Sequence, residues 1–183
     1  AHERGTVSVH PIGAITKGRL GKELTDFGEL FDAGCVGLSD DGSPVADGLL
    51  MRRALEYATM FDRPLIQHAE DPTLVAGGVM HEGLVSTTLG LRGIPGEAES
   101  VMVGRDIALA ELTGGWVHVA HLSCAKSVEL IRQAKRRGVR ITCEVTPHHL
   151  ALTHDAVEGF NTSAKVNPPL RTEDDRLALI EGL

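Results

Sequence analysis

The sequence predicts an α/β fold of the TIM-barrel type, in which parallel strands and helices alternate around a (β/α)8 barrel. Short runs rich in Val, Ile and Leu alternate with longer helix-like stretches along most of the 183 residues. This order is typical of a parallel sheet covered by helices. Polar side chains also follow directly after several of the apolar runs, and in such barrels the carboxyl ends of the strands form the active-site mouth.

The first half of the chain predicts two strand–helix units. A strand is expected to begin at Thr6, and a helix over residues 24–31 follows with its apolar side chains on one face. The next strand spans residues 35–39. A longer helix is expected over residues 48–61, with Asp47 as its cap.

The middle of the chain repeats the pattern with one interruption. A short strand over residues 65–67 is followed by a long connection, residues 71–96, that contains several glycines. Long ordered connections in compact domains are often functional. A helix over residues 97–112 and a strand over residues 117–120 come next.

The last third of the chain predicts two further helices around one strand. Ser123 is expected to cap a helix that ends at Gly138, and residues 139–145 form the next strand. Thr172 and Asp175 have the spacing of a capping box, which predicts a final helix.

Two global folds fit this alternation, an open doubly wound sheet and a closed barrel. The open fold usually has a Gly-rich phosphate turn after its first strand, and Gly77-Gly78 does not lie between a strand and a helix start. We therefore expect the barrel. About five strands are predicted from 183 residues, whereas a complete barrel needs about 250 residues, so the chain corresponds to the central portion of an incomplete barrel.

Composition argues against several classes of function. The formal net charge is −7 with His neutral, and nucleic-acid binders need clustered Lys and Arg instead. The basic run 135–137 is expected at a helix C-terminus, where it complements the helix dipole. The three cysteines form no Cys-x-x-Cys pair, and no apolar run approaches the ~20 residues of a membrane span. We expect a cytoplasmic protein without nucleic-acid or membrane partners.

Three residues with metal-binding side chains follow three successive predicted strands: Asp41, His68 and His121. Two imidazoles and a carboxylate that converge at one barrel mouth can bind a divalent metal, most simply zinc. Each residue alone also fits a structural role, because Asp-Asp-Gly is common in turns and single histidines often line a core. His118 is three residues before His121, and we expect it on the opposite face, under the helices.

Six motifs extend over nearly the whole chain. They are Ser39-Asp40-Asp41-Gly42, His68-Ala69-Glu70-Asp71, His81-Glu82-Gly83, His118-Val119-Ala120-His121-Leu122-Ser123, Glu144-Val145-Thr146-Pro147-His148-His149-Leu150 and Lys165-Val166-Asn167-Pro168-Pro169-Leu170-Arg171. In content and order these motifs resemble those of dihydroorotase of the bacterial monofunctional type, a zinc amidohydrolase of pyrimidine biosynthesis.

The resemblance implies roles for four residues. Asp41 corresponds to a carboxylate that bridges two metals, His68 and His121 correspond to ligands of the second metal, and Asn167 corresponds to a substrate-binding residue. One or two Zn²⁺ ions are implied for the intact enzyme, and partial or no binding for this chain alone. The family's first His-x-His motif and its late Asp-His-Ala-Pro-His motif, which contains the general acid/base, are absent. The resemblance therefore implies one partial metal-dependent amidohydrolase domain over residues 1–183, inactive by itself.

The implied reaction interconverts N-carbamoyl-L-aspartate and (S)-dihydroorotate, which makes a small molecule the expected partner. Two other functions stay open at this point. The chain could belong to a related cyclic amidohydrolase, a hydantoinase, dihydropyrimidinase or allantoinase. It could also belong to a non-catalytic dihydroorotase-like subunit that stabilises aspartate transcarbamoylase. A homodimer is a further partner that the sequence leaves open.

Overall fold

The computed structural model describes residues 6–183, so residues 1–5 of the predicted domain lie outside the described residues. Five parallel strands form the main sheet, and two more form a small parallel sheet of their own. The main-sheet strands are β1 (Ile12–Gly13), β2 (Gly37–Ser39), β3 (Leu65–Gln67), β6 (Val117–Val119) and β7 (Ile141–Cys143), and the small sheet contains β4 (Met80–His81) and β5 (Gly93–Ile94).

Helices follow the strands of the main sheet as the sequence predicts, together with three short helices that it does not predict. The α-helices are α1 (Phe27–Asp32), α2 (Gly48–Ala58), α3 (Pro72–Val75), α4 (Leu84–Leu89), α5 (Glu97–Thr113), α6 (Ala125–Arg136), α7 (Pro147–Ala151) and α8 (Glu173–Gly182). Short 3-10 turns span Lys17–Arg19, Thr59–Phe61, His154–Phe160 and Thr162–Ala164.

The strands of the main sheet neighbour one another in chain order, β1-β2-β3-β6-β7. In register, Leu65 of β3 lies between Leu38 of β2 and Val117 of β6. A doubly wound sheet would reverse its strand order at a switch point, and this sheet does not. The predicted parallel α/β sheet of about five strands is therefore confirmed, and its order is that of an arc of a barrel.

The two faces of the sheet have different surroundings. Leu65, Val117 and Val119 are fully buried and belong to the core formed with α2 and α5. Because side chains alternate along a strand, Ile66 and His118 face the other way. They line an open cavity of about 450 Å³ on the concave side of the sheet.

The N-terminal elements are shorter than the sequence predicts. The prediction of a strand that begins at Thr6 is wrong. Residues 6–11 are exposed, and the pairing with β2 begins at Ile12 and Gly13. The first helix begins at Phe27 rather than at residue 24. Asp26 sets this start, since its carboxylate accepts the Glu29 amide proton at 3.0 Å and so caps the helix.

The start of α6 is also corrected. Ser123 does not cap the helix, which begins at Ala125. Asp175 of α8 takes that role by accepting the Ala125 amide proton at 2.9 Å. The predicted capping box of Thr172 and Asp175 is confirmed, so one aspartate serves the first turns of two helices.

The long connection over residues 71–96 has secondary structure of its own. It contains α3, the small β4–β5 sheet and α4, rather than an irregular loop. Within the described part of the chain, no helix combines the length and the apolar character that crossing a membrane requires.

Candidate metal centre

Two adjacent aspartates after β2 have different surroundings. Asp40 is buried, and its Oδ1 accepts the amide protons of Ile15 and Thr16 at 2.9 and 3.0 Å. The Asp41 carboxylate is exposed, and the Asp41 backbone carbonyl accepts a hydrogen bond from Arg19 Nη1 at 2.9 Å. Asp40 thus anchors the turn to the segment after β1, which leaves Asp41 free to point into the concave side of the sheet.

The two histidines after β3 and β6 extend from neighbouring strands. His68 follows β3 directly and is 3% exposed. His121 follows β6 after Ala120, whose amide donates to the Gln67 carbonyl at 3.1 Å. This backbone bond keeps the two strand ends in register, and the imidazole ring centroids lie 4.8 Å apart in an edge-to-face arrangement.

Asp41, His68 and His121 converge on one point. His121 Nε2 lies 2.9 Å from His68 Nδ1 and 3.2 Å from Asp41 Oδ1, and His68 Nδ1 lies 3.7 Å from Asp41 Oδ1. Ligand atoms at about 2.0–2.1 Å from a tetrahedral zinc lie roughly 3.3 Å from one another. The separations and the donor set therefore fit a divalent ion. Among residues 6–183, Asp41, His68 and His121 are the side chains whose ligand atoms lie close enough together to bind a metal ion.

The far side of the His68 ring contacts two more polar residues. His68 Nε2 lies 3.6 Å from Glu70 Oε2 and 3.4 Å from the side-chain nitrogen of Asn167. The hydrogen bond with His68 lowers the pKa of Glu70, with smaller help from Asn167 and against the effect of burial. An ionised Glu70 can accept a hydrogen bond from Nε2–H, and in this tautomer Nδ1 keeps its lone pair toward Asp41.

A buried network holds the strand end that precedes His68. Gln67 donates to Asp106 Oδ2 at 3.0 Å and accepts the Val45 amide proton at 3.2 Å. Arg105 binds Asp106 Oδ1 at 2.7 Å and the Val45 carbonyl at 2.9 Å. Burial raises the pKa of Asp106 against the opposing effect of Arg105. Through Val45, this network fixes the loop that contains Asp41 to the strand end that contains His68.

The predicted position of His118 under the helices is wrong. His118 lines the same concave cavity as Asp41 and His121. Its Nδ1 lies 2.9 Å from the hydroxyl of Thr142, and its Nε2 lies 3.5 Å from a carboxylate oxygen of Glu144. His121 lies beyond the end of β6 with a positive φ of 37°, so strand alternation from His118 does not predict its direction.

Sequence patterns did not single out the residues that support the ligands. Asp106 and Glu99 lie within α5, where a charged residue is normally read as a solvent-facing one, yet both are buried. Arg171 is the last residue of the motif over residues 165–171, in which the resemblance implies a role for Asn167 alone, and it is buried as well. Helical spacing places Glu99 and Asp106 on the buried face of α5, so periodicity could have singled them out, although it does not show their partners. Arg171 lies outside the helices, so periodicity gives no signal for it.

Comparison with known protein families decides the class of this chain. The family model described as "Dihydro-orotase-like" matches residues 1–127. The chain belongs to this family. Curated relatives of the dihydro-orotase-like family agree with the match.

Two dihydroorotases illustrate these relatives. The chain is 61% identical over 180 residues to the dihydroorotase of Pelotomaculum thermopropionicum, covering 98% of this chain and 42% of the relative. It is 57% identical over 183 residues to the dihydroorotase of Acetivibrio thermocellus, covering 100% and 43% respectively. The chain thus spans about two fifths of the length of these relatives.

Solved structures with the same fold include hydantoinases. A D-hydantoinase from Bacillus sp. AR9 matches with a TM-score of 0.69 at 26% identity, over 84% of this chain and 36% of that protein. The L-hydantoinase (dihydropyrimidinase) from Arthrobacter aurescens matches with a TM-score of 0.68 at 23% identity, over 82% and 36%. The predicted fold, a portion of a TIM-type barrel, is confirmed by these matches.

Proposed function

We propose that this chain is part of a zinc-dependent dihydroorotase, which interconverts N-carbamoyl-L-aspartate and (S)-dihydroorotate in pyrimidine biosynthesis. The convergence of Asp41, His68 and His121 at one end of the sheet supports this most directly. A relative 61% identical to this chain bears the name dihydroorotase. In this proposal residues 1–183 form one partial amidohydrolase barrel domain, and the complete activity belongs to a protein of the relatives' length.

The three proposed ligands have complementary roles. Asp41 contributes the negative charge, and its position at the rim suits a carboxylate that bridges two ions. His68 and His121 contribute neutral imidazole nitrogens, with the His68 tautomer favoured by Glu70 on the far side of the ring. When bound, a divalent ion polarises an amide carbonyl and makes water a better nucleophile at neutral pH.

Asn167 is the proposed substrate contact. Its side-chain nitrogen lies 3.4 Å from His68 Nε2. The Asn167 side chain lines a second cavity, also of about 450 Å³, together with Glu70 and Lys165. A side-chain amide both donates and accepts hydrogen bonds, which suits the alternating N–H and C=O groups of a dihydropyrimidine ring. We assign no general acid/base among the described residues.

A hydantoinase or dihydropyrimidinase is the second candidate, because structures with these titles share the fold. The sequence relatives favour dihydroorotase, with 54–61% identity against 22–26% for the hydantoinase structures. Substrate preference separates the two candidates.

The test is an assay of a protein of family length that contains this chain. We expect zinc-dependent cyclisation of carbamoyl aspartate, with much weaker opening of dihydrouracil, hydantoin or allantoin. The reverse preference would favour the second candidate. Absence of all these activities and of bound metal, together with copurification of aspartate transcarbamoylase, would instead indicate a non-catalytic subunit. Sedimentation of the same preparation reports whether the protein is a homodimer.

A further inference from the structure

The backbone at His121 has a conformation that histidine rarely adopts. Its φ is +37°, in the left-handed region, although the residue is not glycine. Such a conformation persists where surrounding contacts over-determine it. The contacts that do so are expected in the residues on either side of His121.

Both sides of His121 are held by hydrogen bonds. On the N-terminal side Ala120 donates to the Gln67 carbonyl at 3.1 Å, and on the C-terminal side Leu122 donates to the Glu144 carbonyl at 2.9 Å. These two bonds are the ordinary continuation of the sheet. They fix where the chain enters and leaves the turn, but not the path of the residues that follow it.

One buried carboxylate binds the next two residues. Glu99 of α5 accepts the Ser123 amide proton at 2.9 Å and the Cys124 amide proton at 3.3 Å, one on each oxygen. It also accepts the Ser123 hydroxyl proton on Oε2. Glu99 and Ser123 are 3% and 1% exposed, so water does not compete for these bonds.

A buried guanidinium completes the network from the other side. Arg171 Nε donates to the Ser123 hydroxyl oxygen at 2.7 Å, and Arg171 Nη1 donates to the Ile94 carbonyl at 3.1 Å. The same Nη1 lies 3.3 Å from His81 Nδ1. Arg171 thus joins the turn after β6 to the small β4–β5 sheet.

The Ser123 hydroxyl lies between two buried opposite charges. It donates to Glu99 and accepts from Arg171, and the three side chains together satisfy groups that would be costly to bury alone. Ser123 is two residues after His121, so its bonds to Glu99 and Arg171 fix the backbone that follows the histidine.

We propose that Glu99, Ser123 and Arg171 are positioning residues that hold His121 with its Nε2 turned toward Asp41 and His68. This inference rests on the proposed metal site. It adds that the affinity of that site depends on a buried network that touches neither the ion nor the substrate.

Ser123→Ala in a protein of family length that contains this chain is the test, with Ser100→Ala as the matched control. Ser100 lies next to Glu99 on α5 and is equally buried, but its hydroxyl has no hydrogen-bond partner among the described residues. Both variants delete one buried hydroxyl from the same region. Zinc affinity is measured by competition with a chromophoric chelator, and the absorption spectrum of bound Co²⁺ reports ligand geometry.

We expect Ser123→Ala to weaken zinc binding about tenfold, the low end of the range for groups that orient metal ligands. Its Co²⁺ spectrum should change, while Ser100→Ala should match the parent in both measurements. Equal affinity and an unchanged spectrum in Ser123→Ala, with only a lower unfolding temperature, would overturn the positioning role. No zinc or cobalt binding by the parent protein of family length would overturn the metal site itself, and this inference with it.

Glu99→Gln provides a second variant if Ser123→Ala does not fold. Glutamine has nearly the same shape, but it keeps an acceptor oxygen for only one of the two amides and removes the charge opposite Arg171. The same loss of zinc affinity and change of the Co²⁺ spectrum are expected. A folded Glu99→Gln variant with parental metal binding would overturn the proposal.

Discussion

His68 Nδ1 and His121 Nε2 lie 2.9 Å apart, with Asp41 Oδ1 beside both. A hydrogen bond between two imidazoles requires a proton on one of the facing nitrogens, whereas a metal ion requires a lone pair on each. The proton between the rings must therefore leave before both can act as ligands. The Glu70 carboxylate lies 3.6 Å from His68 Nε2. It therefore favours the tautomer of His68 that carries its proton on Nε2, the nitrogen away from Asp41.

The first prediction concerns bound metal. Asp41→Ala and His121→Ala should each lower the zinc content of the purified chain, because each removes one of three converging ligand atoms. Metal analysis after dialysis measures the effect. His10→Ala is the control, since His10 is exposed and outside the site. Equal zinc in all four proteins would contradict the ligand assignment.

The fold was largely predictable because its signals are local. Apolar runs and helix stops locate β3 at residues 65–67, and Asp47 caps α2 as expected. The carboxyl ends of parallel strands lie at one edge of the sheet, so the sequence alone predicts that Asp41, His68 and His121 approach one another. Residues 6–11 misled the prediction because their alternation resembles a strand, although in the described structure the ladder with β2 begins only at Ile12.

The supporting residues were not predictable because their role depends on contacts distant in sequence. Gln67 and Asp106 are 39 residues apart, and Ser123 and Arg171 are 48 residues apart. Helical spacing places Asp106 on the buried face of α5 with Val103 and Ala110, but it does not show which residues pair with the carboxylate. His118 was misplaced for a related reason, since the strand alternation used for it breaks at His121.

The second prediction concerns substrate binding by Asn167. In a protein of family length, Asn167→Ala should raise the KM for dihydroorotate about 3- to 10-fold, the loss expected for one or two neutral hydrogen bonds. Bound zinc should stay unchanged, because Asn167 contacts His68 only on the side away from Asp41. Steady-state kinetics with metal analysis separates the two effects. A loss of zinc with an unchanged KM would instead make Asn167 a support for His68.

The third prediction concerns the buried charge at Asp106. Arg105→Met should lower the free energy of unfolding by about 3 kcal/mol, because it leaves the buried Asp106 carboxylate without its charged partner. The loss should stay near the low end of such effects, since burial already raises the pKa of Asp106 and favours proton uptake. Urea unfolding at pH 7 measures the change.

Arg52→Met is the control for this variant. Arg52 pairs with Glu56 one turn along α2, and both side chains are about half exposed. Exposed pairs of this kind contribute at most about 0.5 kcal/mol. Similar losses in the two variants would show that the Arg105 effect does not come from burial of Asp106.

The fourth prediction concerns stability at acidic pH and His149. This residue is 2% exposed, and its Nε2 donates to the Pro168 carbonyl at 3.0 Å while Nδ1 lies 2.7 Å from the Thr146 hydroxyl. Burial lowers the pKa of His149 from 6.5 to about 4, against the opposing effect of the Pro168 carbonyl. Between these two values the unfolded chain binds a proton that the folded chain does not.

The contribution of His149 to stability should therefore be complete above pH 6.5 and be lost as the pH drops from 6.5 toward 4. The upper limit for this one group is about 3 to 4 kcal/mol, at about 1.4 kcal/mol for each pH unit of the window. His81, whose pKa burial also lowers to about 4, contributes in the same direction. His149→Gln should remove part of the acid sensitivity in urea unfolding between pH 4 and pH 7, and His10→Gln, which makes the same replacement at an exposed histidine, is the control. An unchanged pH profile in His149→Gln would mean that His149 is protonated in the folded chain over this range.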